Sequence, residues 1–135
     1  MSATSTFKSG TISLEENGIV YFRSNADEVH DKQDLITLLD MMEEANNGKP
    51  FLLMMLVKEH QFLMTKEARN FFNTYKKAEQ LIMAEAVVIN STPTRILYNL
   101  LTKLHSPKFP FKAFSEEADA VNWLNTCSTA SVNNS

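Results

Sequence analysis

The chain is poor in the residues that mark the common small-protein chemistries. Of its 135 residues one is cysteine, Cys127, which excludes an internal disulfide and fits a reducing compartment. Three are glycine, Gly10, Gly18 and Gly48, and their scatter excludes a glycine-rich phosphate loop. The three histidines, His30, His60 and His105, lack the i, i+4 or short-loop spacing of a metal site. His30 with Asp31 and Asp34 reads as a solvated helix start. Cys127 lies past the last core position, with no histidine tied to it by motif, so neither a thiol nucleophile nor a metal or other cofactor is expected. No apolar run approaches the roughly 18 residues of a membrane span, and residues 1–10 lack the apolar core of a signal peptide. A cytoplasmic, bacterial-type protein is therefore expected. Thirteen lysines and arginines against sixteen acids leave a net charge of −3 without a basic stripe, which argues against nucleic acid as a partner.

What is present is apolar. Phe51 to Val57 reads FLLMMLV, seven apolar residues with no alternation and hence no solvent side. Bounded by Asn46-Asn47-Gly48-Lys49-Pro50 before and Lys58-Glu59-His60 after, the run suits a strand covered on both faces. Binding sites in such sheets open at the C-terminal ends of the strands, here Lys58 to Thr65. Nine phenylalanines and seven methionines fit either a plastic core or a groove for an apolar ligand.

The remaining pattern predicts one domain over residues 11–125, with a flexible stretch 1–10 and a disordered polar tail 126–135. Asn17-Gly18 between Thr11–Leu14 and Ile19–Phe22 predicts a two-residue hairpin pairing Leu14 with Tyr21 and Ser13 with Phe22. Leu35, Leu38, Leu39, Met42 and Ala45 recur at helical spacing. Thr65 is placed to cap a second helix with the stripe Ala68, Phe71, Phe72, Tyr75, Ala78 and Ile82. Ala84 to Ile89 forms a fourth strand. Ser91-Thr92-Pro93 opens a third helix, expected to bury Ile96, Leu97, Leu100, Leu101 and Leu104. Phe111–Phe114 is a fifth strand, and a last helix carries Ala118, Val121 and Leu124. The expected fold class is α/β, a mixed five-stranded sheet in the order ββαβαβαβα covered by four helices.

This order, with Lys66-Glu67-Ala68-Arg69, the strand Glu85 to Ile89, Ser91 to Arg95, Pro110 to Phe114 and Asp119 to Leu124, resembles the anti-sigma-factor antagonist (STAS) superfamily. The nearer resemblance is to its STAS-like, lipid-transfer-like (CRAL-TRIO-related) branch. The resemblance spans residues 11–125 and implies the fold and a binding or regulatory role without catalysis. Phosphoswitch members of that superfamily carry a serine after an aspartate at the start of the second helix. Gln61 to Thr65 holds neither, and Thr65 is the only hydroxyl in place.

Two constellations stand as candidate binding features. The helix starts at Thr65-Lys66 and Ser91-Thr92 offer free amides for a small anion, with His60, Lys66 and Arg95 as charge partners; the plainer reading is that the hydroxyls cap their helices. Phe62, Leu63 and Met64 stand in a predicted surface loop, where they either fold onto the core or meet a partner, and Phe109 and Phe111 would extend the patch. The expected function is a non-enzymatic interaction module meeting an unknown protein partner, or a second copy, through Lys58 to Thr65. The alternative is a carrier of a small apolar or lipid-like ligand between the second and third helices and the sheet. An apolar cavity above about 300 Å³ favours the carrier, and a filled core favours the interaction module.

Overall fold

The computed structural model describes residues 4–104 and 108–133. His105 and Pro107 lie outside them. The strand expected to have no solvent side, β5 (Phe51–Leu56), runs through the middle of the sheet with parallel neighbours on both sides, β3 (Ile19–Ser24) and β7 (Ile82–Val88). Its side chains alternate between two cores. Phe51, Leu53 and Met55 enter one, with Val57 just beyond the strand, while Leu52 and Met54 enter the other. The first core is closed by α1 (Lys32–Ala45), α2 (Lys66–Asn73) and α3 (Lys76–Leu81). The second is closed by α5 (Glu117–Asn133), through Ala120 and Leu124, both fully buried.

The sheet is mixed, as expected, but among the described residues it has six strands rather than five, in the order β1-β2-β3-β5-β7-β8, and five helices accompany it rather than four. The added edge strand β1 (Thr4–Phe7) lies in the stretch expected to be flexible. It pairs antiparallel with β2 (Gly10–Leu14), and Phe7 reaches the core. Strand β8 (Phe111–Phe114) forms the other edge, parallel to β7. The second predicted helix breaks at Thr74–Tyr75 into α2 and α3, and Ile82 begins β7 instead of ending a helical stripe. Residues 126–133, expected as a disordered tail, continue α5, for no glycine or proline interrupts them.

The hairpin register differs by one residue from the expected pairing. Leu14 faces Val20, Ser13 faces Tyr21, and Ile12 faces Phe22. The loop has three residues: the Gly18 amide donates to the Glu15 carbonyl, and Gly18 takes φ 81°. This is the turn-plus-bulge hairpin, in which the glycine occupies the left-handed position after the turn.

Two further strands make a small sheet at the edge of the first core. Strand β4 (Glu28–His30) pairs parallel with β6 (Phe62–Met64), so the presumed surface loop is ordered by backbone hydrogen bonds. His30 is fully buried, not solvated as expected. Its ring lies stacked 3.9 Å from Phe62 and 5.8 Å from Phe7, and Phe62 meets Phe22 edge-on. Nδ1 is 2.7 Å from the Leu63 carbonyl, which can only accept, so Nδ1 carries the proton and Nε2 accepts from the Ser9 hydroxyl at 2.7 Å. The solvated helix start is its neighbour: Asp31 caps α1 reciprocally with Asp34.

Burial holds the His30 pKa below the ordinary histidine value, against the pull of the Leu63 bond. The unfolded chain therefore takes up a proton below about pH 6.5 before the native state does, and stability present above that pH is lost as pH falls. His30→Gln is expected to cost about 2–4 kcal/mol at pH 7.5. The difference from wild type should shrink as pH falls from 6.5 to 5, read by denaturant unfolding at each pH.

Candidate functional site

The first core is not filled. Between the sheet and helices α1, α2 and α4 (Thr92–Leu104) lies a cleft of about 670 Å³. Its floor is Leu53 and Met55 of β5, Glu85 and Val87 of β7, and Phe111 of β8. Leu38, Leu39 and Met42 of α1 form one wall, and Phe72 with Tyr98 forms the other. The mouth opens where exposed Lys66, Arg69, Asn70 and Asn73 of α2 stand near β6.

The one acid on the floor is Glu85, 8% exposed. In register it stands between Leu53 on β5 and Phe111 on β8. Burial alone raises its carboxyl to about pKa 8, with no hydrogen bond or ion pair among the described residues to offset it. No sealed side-chain nitrogen or oxygen among the described residues lacks a partner. The unpartnered Glu85 oxygens therefore face the cleft. The Tyr98 ring stacks on Phe111 at 6.5 Å, while Asn99 on the same helix accepts from the Ala113 amide and fixes α4 on β8. The Tyr98 phenol is pushed up by burial first and by the Glu85 charge second, so the two polar groups sense each other.

The cleft gathers Phe62, Leu63, Met64 and Lys66 of the expected site and does not include His60, Thr65, Ser91, Thr92 or Arg95. Phe62 is turned inward on His30, while Leu63 is 40% exposed. Thr65 caps α2, its Oγ1 accepting from the Ala68 amide at 3.1 Å. The Ser91 hydroxyl accepts from the Thr94 amide at 3.3 Å, and Arg95 donates to the Ile89 carbonyl at 3.2 Å and to Thr92. His60 stands 3.7 Å from Asp27. Phe109 is buried against Phe72 and Phe111 lines the cleft, so neither extends a surface patch. The expected buried face of α4 is open: Ile96 is 62% exposed, and Leu97 and Leu100 are each 51% exposed. The side chains of Leu101 and Leu104 lie outside the described set. Reasoning from the sequence missed Glu85 and Tyr98 as site residues. The available signal was a lone acid in a strand otherwise apolar on both faces, where an unpaired charge is expensive.

The native state holds the Glu85 proton up to about pH 8, whereas the unfolded chain gives it up near the ordinary glutamate value of 4.5. Between those values the unfolded state binds fewer protons, so this group lowers stability as pH rises, by at most roughly 1.4 kcal/mol per pH unit. Glu85→Gln removes the titration. Its stability relative to wild type is expected to increase steadily from pH 5 to pH 8, and a constant difference would show that the carboxyl is well solvated.

No helix among the described residues is long and apolar enough to cross a membrane. No curated protein matches the chain. Among solved structures it is similar to a protein of the DUF3478 family from Shewanella loihica PV-4 with a SpoIIAA-like fold, at 15% identity over 92% of each chain and a TM-score of 0.57. That likeness establishes a STAS-like fold. Residues 12–128 match the family described as domain of unknown function DUF7793, and the chain belongs to that family.

Proposed function

We propose that the protein is a non-catalytic carrier of a small apolar ligand, and that the cleft between the sheet and helices α1, α2 and α4 is where the ligand lies. The observation that carries this reading is the cleft itself. At about 670 Å³ it is within the range of small-molecule sites, and its floor and walls are apolar apart from Glu85 and Tyr98. It occupies the space between the predicted second and third helices and the sheet, with α1 as a further wall. The lipid-transfer-like branch of the STAS resemblance points the same way. Of the residues named for the interaction reading, Phe62 packs on His30 and Phe22, while Leu63 stays exposed.

A neutral fluorophore such as N-phenyl-1-naphthylamine is expected to bind saturably at one site per chain. Asn73→Trp, at the exposed mouth, should weaken uptake at least tenfold while leaving the melting temperature within about 2 °C. Uptake indifferent to that substitution would place the dye elsewhere and remove the support for a carrier.

A second reading, contact with another copy of the chain, is favoured by one observation: the exposed apolar row Ile96, Leu97 and Leu100 on α4. On that reading the wild type self-associates in sedimentation velocity runs at micromolar concentration, and Leu97→Ser runs as a monomer that still takes up the dye. A monomeric wild type at 100 μM would end it.

A further inference from the structure

The carrier reading leaves open what part of the ligand meets the polar groups inside the cleft, and the inference drawn here rests on that reading. An apolar tail alone would leave the Glu85 carboxyl, more than nine-tenths buried, without a hydrogen-bond partner. Tyr98 lines the same space, and its hydroxyl makes no hydrogen bond among the described residues either. Both groups are carried on rigid elements. Glu85 sits in the middle of β7, and Tyr98 is held by its stack on Phe111 and by the Asn99–Ala113 bond.

We propose that Glu85 and Tyr98 together form a recognition site for the carbonyl oxygen of an otherwise apolar molecule, each donating one hydrogen bond to it. A carbonyl oxygen has two lone pairs and no proton, so it can accept from both O–H groups at once. Ionic head groups fit worse. A carboxylate on the floor meets an acid and no cation, because Lys66 and Arg69 stand exposed at the mouth. An ammonium has to pass those two cations and force the acid to ionise against an apolar floor. The proton state agrees with the geometry, for burial keeps the Glu85 carboxyl protonated up to about pH 8. The titratable groups that line the cleft with it are Tyr98 from α4 and Lys66 and Arg69 from α2, and neither cation shifts the Glu85 carboxyl. Strands β5 and β8 and helix α1 present apolar side chains to the cleft.

The test is a titration of the full chain with 2-octanone, octylamine and octanoate, followed by amide chemical shifts, for wild type, Glu85→Gln and Glu85→Leu. Wild type at pH 6.5 should bind 2-octanone at least tenfold more tightly than either charged compound. Glu85→Leu, which keeps the floor apolar, should lose about tenfold for the ketone. Glu85→Gln, whose amide still donates, should stay within about threefold. Raising the pH to 9 should weaken ketone binding in wild type, where the donor becomes a carboxylate, and leave Glu85→Gln unchanged. Equal ketone affinity in wild type and Glu85→Leu overturns the proposal and leaves the carrier reading standing. The same holds if octylamine binds best and Glu85→Gln abolishes it. Failure of all three compounds to bind wild type overturns both.

Discussion

Everything in this domain depends on one constraint: both faces of β5 are apolar and must be covered. A strand whose successive side chains are Phe51, Leu52, Leu53, Met54 and Met55, each at most 8% exposed, requires strands on both sides and a helical layer above and below. Leaving either layer off would expose several large apolar side chains, each worth about 1.5–3 kcal/mol on burial. The two layers are unequal. Among the described residues one face receives α1, α2, α3 and α4, the other only α5. The more elaborate face is the one that contains the cleft.

That cleft is a packing compromise. Protein cores usually reach the density of organic crystals, so about 670 Å³ of open space beside a sheet forgoes many dispersion contacts. It persists because rigid partners hold its walls apart. The Asp31–Asp34 capping box and the Lys8–Asp34 ion pair position the start of α1, and Lys77 on α3 reaches Asp40 and Glu43 of α1. Asn99 positions α4. Glu85 adds a second compromise, a buried acid without a hydrogen-bond or ion-pair partner among the described residues. Departures from local consistency of this kind are where function concentrates.

The layer arrangement was legible because burial imposes period and run length directly on sequence. Phe51 to Val57 announced the two-faced strand, and the Leu35 to Met42 spacing announced α1. Less was legible where competing local solutions have similar cost. Asn17-Gly18 suits a two-residue turn, yet Gly18 serves equally well as the left-handed residue after a three-residue loop, and the register moved by one. Phe62 to Met64 looked like a loop because three residues carry no measurable period, and its strand partner, Glu28 to His30, is remote in sequence. His30 looked solvated for the same reason: its Ser9 and Leu63 partners lie 21 and 33 residues away. Of the candidate site, the apolar residues of β6 and Lys66 were readable as a group. Glu85 was not, since which face of β7 a residue occupies depends on a bulge opposite Phe51–Leu52 that nothing local signals.

The unequal covering of the sheet bears on how the chain is made. Ile19, Tyr21, Leu52 and Met54 are brought together by strands synthesised early, yet their cover, Ala120 and Leu124, comes nearly seventy residues after Met54. During vectorial synthesis at about 5–20 residues per second, that face stays bare for several seconds after its strands have emerged. The late helix thus acts as a closing shutter, and the interval before it arrives is the period in which this chain is open to chaperones and to aggregation.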